Sequence, residues 1–186
     1  MQPRKYIWML RALLYKLTFK RIGNLTYIGK PIFTEGRKNI AIGKRVRIYP
    51  GIRLETIDGG QISIGNNVAI EQNVQIVSMK NKLVIGDDVT IAGNTFISNV
   101  NHNYADVHHS VMDQGYTVKK TIIGKSCFIG YGTVILPGTE LGNHCIVGSN
   151  SVLSGQYADY SLIVGAPGRI IKKYNFNLNI WERSDK

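Results

Sequence analysis

Aliphatic residues recur every six positions along most of this chain, and this period constrains the fold more than any other feature of the sequence. They occupy seventeen positions: Ile22, Ile28, Ile42, Ile48, Leu54, Ile64, Ile70, Ile76, Ile85, Ile91, Ile97, Ile123, Ile129, Ile135, Leu141, Val147 and Leu153. Nine of them are followed directly by glycine. A period of six fits neither an amphipathic helix nor a half-buried strand. It is typical of a hexapeptide parallel β-helix, in which each hexad forms one short strand and one corner.

A second set of positions predicts how the interior is filled. Four residues after an aliphatic position the chain usually carries a small or β-branched residue: Val46, Ile52, Val68, Val74, Val89, Thr95, Cys127, Thr133, Thr139, Cys145 and Ser151. We expect the aliphatic side chain to point into the prism and the smaller one to share its narrow interior. The glycines permit corner backbone that a Cβ atom would resist.

The spacing of the repeats also predicts where the coils are interrupted. Three hexads make a coil of eighteen residues, and the coils begin at Ile22, Ile42, Ile64, Ile85, Ile123 and Leu141. These starts lie 20, 22, 21, 38 and 18 residues apart, so every insertion follows the third hexad of its coil. We therefore predict an all-β solenoid of about six coils over residues 22–173, with one long excursion at residues 101–121. An ordinary β-sandwich would instead show period two, with turns about eight to twelve residues apart.

The first 21 residues lack the repeat and predict a basic amphipathic helix. Apolar residues at helical spacing alternate with basic ones: Ile7, Leu10, Leu13, Leu14 and Leu17 among Arg4, Lys5, Arg11, Lys16 and Lys20. The interrupted apolar stretch is too short to span a bilayer, and we expect no signal peptide because no small-residue cleavage site is present. We favour packing of this helix on the β-helix or on a neighbouring subunit over docking on an anionic membrane. Residues 174–186 form a C-terminal tail that we expect to fold back.

Charge and cysteine content narrow the classes of partner. The formal net charge of +11 favours an anionic ligand or surface. No nucleic-acid-binding motif accompanies the charge, so we expect no nucleic-acid partner. The two cysteines, Cys127 and Cys145, lie eighteen residues apart and should stack on adjacent coils. They are too few for a disulfide framework, and a cytosolic setting would leave them as reduced packing residues. We expect the protein to be cytoplasmic, and the inner face of the membrane is an additional location that the sequence allows.

The repeats resemble those of the hexapeptide-repeat acyltransferases, and most of all the polysaccharide, galactoside and maltose O-acetyltransferases. The resemblance extends from about residue 22 to residue 173. It implies a left-handed parallel β-helix, against the usual right-handed preference of parallel crossovers. It also implies a homotrimer that binds acetyl-coenzyme A (acetyl-CoA) in grooves between subunits.

His102 is the candidate general base. It ends a third hexad, where the excursion leaves the prism, and it follows the run Ile91-Ala92-Gly93-Asn94. In galactoside acetyltransferases a histidine at the matching place is the general base. Many polysaccharide enzymes read D-H-N-H where this chain reads Asn99-Val100-Asn101-His102, so the last histidine is kept while the acid and the first histidine are replaced. The structural alternative is a loop histidine that only hydrogen-bonds backbone.

The resemblance also assigns residues to the coenzyme. Phe128, Gly130 and Tyr131 lie in one run, and Ser149 and Ser154 in another, that line the pantetheine arm in the family. Arg169 and Lys172 match basic residues that meet the coenzyme A phosphates. Arginine offers a planar fork to phosphate oxygens and lysine a point charge. The alternative is a pair of solvent-exposed basic residues near the end of the repeats.

Acceptor contacts are expected from a third group of polar residues: Glu71, Asn73, Asn101, His108 and His109. For Glu71 and Asn73 a solvated outer face is an equal alternative. His108 and His109 lie within the excursion, where we favour a role in shaping the loop. His144 precedes an interior residue and should therefore lie on the surface.

The prediction that follows is an acetyl-CoA-dependent O-acetyltransferase acting on a sugar hydroxyl, without a metal. The expected acceptor is a surface polysaccharide (O-antigen, capsule or exopolysaccharide) or its lipid-linked precursor. An amino-sugar N-acetyltransferase is the nearest enzymatic alternative. A γ-type carbonic anhydrase would need three zinc-binding histidines, usually from two subunits, whereas His102, His108 and His109 share one excursion. A non-catalytic solenoid is the third alternative.

Overall fold

The computed structural model describes residues 4–184, which form one α-helix, two 3-10 turns and 24 strands. The helix α1 spans Arg4–Tyr15, and the 3-10 turns span Arg37–Asn39 and Val111–Asp113. The strands are β1 (Arg21–Ile22), β2 (Tyr27–Ile28), β3 (Phe33–Glu35), β4 (Ile40–Ile42), β5 (Arg47–Ile48), β6 (Arg53–Ile57), β7 (Gln61–Ile64), β8 (Ala69–Ile70), β9 (Gln75–Met79), β10 (Lys82–Ile85), β11 (Thr90–Ile91), β12 (Phe96–Ser98), β13 (Val100–His102), β14 (Tyr116–Val118), β15 (Ile122–Ile123), β16 (Phe128–Ile129), β17 (Val134–Ile135), β18 (Glu140–Leu141), β19 (Ile146–Val147), β20 (Val152–Leu153), β21 (Gln156–Tyr157), β22 (Ser161–Val164), β23 (Arg169–Asn175) and β24 (Ile180–Arg183).

Three stacked parallel sheets make the faces of the prism. Sheet A runs β1-β4-β7-β10-β15-β18-β21, sheet B begins β2-β5-β8-β11-β16-β19-β22, and sheet C runs β3-β6-β9-β12-β17-β20. In sheet A, Ile22 pairs with Ile42 and Ile123 with Leu141, so the first hexads of successive coils lie in register. These pairings confirm the predicted parallel solenoid of about six coils. The left hand of the coil stays a prediction from the resemblance.

The chain turns at three corners in each coil, which we name by the sheets they join. Corner AB leads from sheet A to sheet B, corner BC from B to C, and corner CA from C back to A. The β13–β14 hairpin leaves the prism at corner CA, and the five-residue strands β6 and β9 of sheet C extend into the same corner. Every insertion therefore lies on one edge of the prism, as the spacing predicts.

The residues that the six-residue period predicts to be buried line the interior of the prism. All seventeen aliphatic positions are buried, at most 6% exposed, and the eleven small positions are at most 1% exposed. Hydroxyl groups in this interior donate to corner carbonyls, as Thr133 Oγ1 does to Gly130 O at 2.7 Å and Ser151 Oγ to Gly148 O at 2.7 Å. Polar residues are accommodated in the core because each bond satisfies a buried donor.

Both cysteines are free and buried. The strands that follow them, β16 and β19, pair directly, so the two residues belong to adjacent coils. A side-chain hydrogen bond with Cys145, followed by burial, raises the pKa of the Cys127 thiol. Cys127 is therefore a protonated packing residue.

The glycines of corner AB are required by close approach of neighbouring coils. A Cβ atom built on Gly124 would lie 2.5 Å from the carbonyl carbon and oxygen of Gly142. We expect Gly124→Ala to lower the stability by about 1–3 kcal/mol, or roughly 3–10 °C in melting temperature, because the backbone must move to admit the methyl group. Gly59→Ala is the control, since a Cβ there meets open space and only the φ of 78° is unfavourable. A larger loss for Gly59→Ala in thermal melts would contradict the packing argument.

A partial seventh coil follows the six that the sequence predicts. Tyr157 pairs with Leu141 in sheet A, and Ile163 pairs with Val147 in sheet B. The pattern is hidden in the sequence because a tyrosine replaces the aliphatic residue and the sixth coil, which precedes it, is two residues shorter than eighteen. Tyr157 is nevertheless buried, 9% exposed.

The chain then reverses, and the two last strands extend sheet B. Strand β23 pairs antiparallel with β22, and β24 pairs antiparallel with β23. Strand β23 runs across residue 173, where the sequence places the start of the tail. The tail thus folds back as a hairpin on the last coil.

The helix α1 packs against the first two coils. The Trp8 ring lies 5.9 Å from the Tyr27 ring and 5.7 Å from the Tyr49 ring, measured between centroids. Ala12 is buried in the core, and Arg11 Nη1 donates to the Ile28 carbonyl at 2.9 Å. Packing on the β-helix is the arrangement that the sequence favours. Nowhere between residues 4 and 184 does a helix have the length and apolar character needed to cross a bilayer.

Candidate active site

Asn99 holds the corner from which the excursion leaves the prism. Its side chain is fully buried, and its Oδ1 accepts the Met79 N–H at 2.8 Å. Its Nδ2 donates to Ser78 Oγ at 3.2 Å and to the Met79 carbonyl at 3.2 Å. Asn99 stands where many polysaccharide enzymes have the aspartate of D-H-N-H. Its hydrogen bonds hold the start of the excursion against the preceding coil.

His102 ends the first strand of the hairpin that this corner supports. It lies opposite Tyr116 in the antiparallel pairing of β13 with β14, and the two rings lie 4.6 Å apart between centroids. The His102 side chain is exposed. Its ring has no hydrogen-bond partner among residues 4–184, so strand pairing and the Tyr116 ring set its position. Both ring nitrogens are thus available to a substrate.

A cavity of about 810 Å³ opens beside His102 at corner CA. Its lining includes Asn101, His102, Asp106, His109, Lys119 and Pro137. A cavity of this size is in the range of small-molecule sites. Of the predicted acceptor residues, Asn101 and His109 line it together with His102, and His108 does not.

The excursion contains an Asp–His pair that the sequence analysis missed. Asp106 Oδ2 lies 2.8 Å from His109 Nδ1, and Asp106 Oδ1 accepts the His108 N–H at 2.8 Å. The bond from the His108 backbone, and then the His109 ring, hold the pKa of Asp106 below its usual value. Gln114 braces the loop by donating to the Asp106 carbonyl at 2.8 Å and the His109 carbonyl at 3.0 Å. The three-residue spacing of Asp106 and His109 is the feature of the sequence from which this contact could have been predicted.

A second group of predicted residues lies on a different edge of the prism, at corner BC. Glu71 and Asn73 occupy this corner in the third coil, Gly130 and Tyr131 in the fifth, and Ser149 in the sixth. The Gly93 N–H donates to Glu71 Oε2 at 3.1 Å, and the Tyr131 hydroxyl accepts a hydrogen bond from the side chain of Asn94. Tyr131 is 52% exposed. One chain therefore does not bring these residues to the cavity of His102.

The two basic candidates share the outer face of β23 because of a bulge. Arg169 pairs with Val164, Lys172 pairs with Leu162, and the register shifts between Leu162 and Ile163. Leu162 and Val164 flank the buried Ile163 and therefore point outward. Cross-strand neighbours share a face of a sheet, so Arg169 and Lys172 also point outward. Without the bulge, residues three apart would lie on opposite faces.

The last two coenzyme candidates lie apart from each other. Phe128 is 48% exposed on the outer side of sheet B, and it precedes Gly130 and Tyr131 of corner BC along the chain. Ser154 lies at corner CA, and its carbonyl accepts the Tyr157 hydroxyl at 3.3 Å. His144 is exposed at corner AB, in agreement with the predicted surface position. Its ring stacks on the Tyr160 ring, with 5.0 Å between the ring centroids.

The carbonic anhydrase alternative depends on a group of side chains that could hold a metal ion. Among residues 4–184, no three or more His, Cys, Asp or Glu side chains come together in a group that could hold a metal ion. His109 is paired with a carboxylate instead, and His102 with an aromatic ring. The carbonic anhydrase alternative would therefore need ligands contributed across a subunit interface.

Known proteins resemble this chain over nearly its whole length. Residues 120–155 match the family described as bacterial transferase hexapeptide (six repeats). WbbJ of Escherichia coli (strain K12), named as a candidate lipopolysaccharide biosynthesis O-acetyl transferase, is 31% identical over 96% of this chain and 93% of its own. Galactoside O-acetyltransferase of Escherichia coli (strain K12) is 25% identical over 89% of this chain and 69% of its own.

A solved structure shows the same fold. AntD, an N-acyltransferase from Bacillus cereus in complex with dTDP and 3-hydroxybutyryl-CoA, matches with a TM-score of 0.77 over 90% of each chain, at 21% identity. An identity this low supports the likeness of the two folds and no more.

Proposed function

The chain belongs to the hexapeptide-repeat acyltransferase family, and on this premise we propose that it transfers an acetyl group from acetyl-CoA to a sugar hydroxyl. The observation that carries the proposal is His102, exposed at corner CA beside a cavity lined by polar side chains. Relatives that cover most of this chain bear the names of O-acetyltransferases.

His102 performs the proton transfers in this proposal. The neutral imidazole takes the proton from the sugar hydroxyl as its oxygen attacks the thioester carbonyl carbon. The tetrahedral intermediate then collapses, the carbon–sulfur bond breaks, and the coenzyme A sulfur receives the proton from the imidazolium. The products are the sugar ester and free coenzyme A, and no covalent acyl-enzyme forms. Because no residue between 4 and 184 hydrogen-bonds the ring, the substrate itself or a neighbouring subunit completes the orientation that the Tyr116 contact provides.

We further propose a homotrimer, because one chain presents the predicted site in two halves. His102 and its cavity lie at corner CA, whereas Tyr131 and Ser149 lie at corner BC. Rotation about a threefold axis would bring corner CA of one subunit against corner BC of the next and complete three equivalent sites.

Mixed trimers test this arrangement. A chain carrying His102→Ala and a chain carrying Arg169→Ala and Lys172→Ala should each be nearly inactive at low acetyl-CoA. Co-expressed and purified through two different tags, they should regain up to about a third of the wild-type rate, since every mixed trimer then contains one site of three with both intact halves. Activity no higher than that of the two separate variants would exclude a shared site.

The outer face of β23 is proposed to bind the coenzyme A phosphates. Lys172→Ala should raise the KM for acetyl-CoA by about tenfold, because a charge-assisted contact to phosphate contributes about 1.5 kcal/mol or more. Lys173→Ala removes the same charge from the next residue, which pairs with the buried Ser161 and so faces the other way. Steady-state kinetics that show equal changes for the two variants would point to a general charge effect and overturn the assignment.

The acceptor class is proposed to be a surface polysaccharide or its lipid-linked precursor, reached in the cytoplasm. The alternative acceptor is an amino sugar, such as the dTDP-4-amino-4,6-dideoxyglucose bound with coenzyme A in a solved structure of an AntD variant. Coenzyme A release with a panel of hydroxyl sugars and amino sugars separates the two. Mass spectrometry of the product, followed by mild base, identifies an ester because esters are hydrolysed and amides are retained.

A further inference from the structure

One face of α1 is apolar and largely exposed, with Leu10 and Leu13 at the edge that meets Leu25 of the first coil. The exposed fractions are 61% for Tyr6, 60% for Ile7, 57% for Leu10, 58% for Leu13, 58% for Leu14 and 87% for Leu17, just beyond the helix. At about 100° per residue these side chains fall within one arc of the helix, opposite the arc of Trp8, Ala12 and Tyr15. The second arc contacts the solenoid. The first arc has no protein covering it among residues 4–184.

The charge around this face has a single sign. Residues 1–34 contain seven lysines and arginines and no aspartate or glutamate. The partners of the basic side chains are neutral where the structure gives them. Lys16 Nζ donates to Asn24 Oδ1 at 3.2 Å, Arg11 to a carbonyl, and Lys5 lies 5.5 Å from the centre of the Tyr27 ring. Lys5, Arg11 and Lys16 therefore have no carboxylate partner among the described residues.

We propose that α1 docks the protein on an anionic phospholipid bilayer, with Leu10, Leu14 and their neighbours in the interface and the basic side chains at the headgroups. An apolar arc flanked by lysine and arginine is the pattern of helices that lie in the membrane plane. The 12 residues of α1 measure about 18 Å, less than a bilayer core, so the helix lies on the membrane and does not cross it. Leu25 in the first coil, 72% exposed, extends the same apolar surface.

Charge favours a bilayer over the same face of a second copy of the chain. Two copies of this face would bring basic residues together, and residues 1–34 contain no carboxylate to pair with them. An anionic bilayer supplies phosphate groups at the rim and an apolar region at the centre, and each basic residue near such a surface adds to binding. This inference is independent of the proposed reaction, because it concerns the opposite end of the solenoid from β23.

Sedimentation with vesicles tests the proposal on the full chain. We expect the protein to bind vesicles of phosphatidylcholine with phosphatidylglycerol, and not vesicles of phosphatidylcholine alone. Raising the salt from about 0.1 M to about 0.5 M should weaken binding because the headgroup attraction is screened. Protein that stays in the supernatant with both vesicles overturns the proposal.

Two variants and a matched control locate the contact. Leu10→Ser with Leu14→Ser should weaken vesicle binding by at least about tenfold, since two exposed leucines leave the interface. Lys5→Glu with Lys16→Glu should do so while leaving the apolar arc intact. Leu178→Ser with Ile180→Ser is the control, because those side chains are similarly exposed, 59% and 50%, at the opposite end. Unchanged binding of the leucine variant, or a lower molecular mass of that variant in solution, would show that the face does not serve the membrane.

Discussion

His102→Ala should lower kcat for acetyl transfer by about 10²- to 10⁴-fold while leaving acetyl-CoA binding close to that of the wild type. The physical reason is that a sugar hydroxyl attacks a thioester slowly unless a base removes its proton. Tyr131 and Ser149 lie at corner BC, and Arg169 and Lys172 lie on β23, so the substitution does not touch these coenzyme candidates. Release of coenzyme A, followed with a thiol reagent, measures the rate, and calorimetry measures acetyl-CoA binding.

His144→Ala is the control for this substitution, because His144 stacks on Tyr160 at corner AB, away from the cavity. It should retain nearly the full rate. A His102→Ala rate within about tenfold of wild type would remove His102 as the base. If the remaining activity then disappears on adding His109→Ala, the proton acceptor is His109, which Asp106 already holds by a 2.8 Å contact.

Asn99→Ala should lower the stability by about 3–4 kcal/mol, or roughly 10 °C in melting temperature. The substitution removes the acceptor of the Met79 N–H and the donor to the Ser78 hydroxyl in a fully buried site. The Met79 donor would be left unsatisfied, and a small cavity would form. The rate of transfer should fall as well, because a displacement of about 1 Å at His102 can cost about 10²-fold.

Asn177→Ala is the matched control, since Asn177 is exposed in the turn between β23 and β24. Its melting temperature should stay within about 1 °C of the wild type. Equal melting temperatures for Asn99→Ala and Asn177→Ala would show that the buried amide does not anchor the excursion. Normal stability with a reduced rate would instead assign Asn99 a direct role in the reaction.

The interior and the stacking of the coils were predictable because they depend on a local rule. Each strand pairs with the strand at the same place in the next coil, so Ile42 stacks on Ile22 without further information. The rule failed where the aliphatic residue and the eighteen-residue spacing were both lost. Tyr157 replaces an aliphatic residue after a shortened sixth coil, and the seventh coil was therefore missed.

The chain's repeat by itself determined the coil, the buried positions and the edge that carries the excursion, because a six-residue period leaves each strand only one partner in register. The tertiary structure alone decided what the period does not describe. It placed Asp106 against His109, aligned Arg169 with Lys172 through a bulge, and separated Tyr131 from His102 on different corners. It also turned one arc of α1 onto the solenoid and left the other exposed. These arrangements depend on turns, bulges and packing between segments of unequal spacing, which no sequence period encodes.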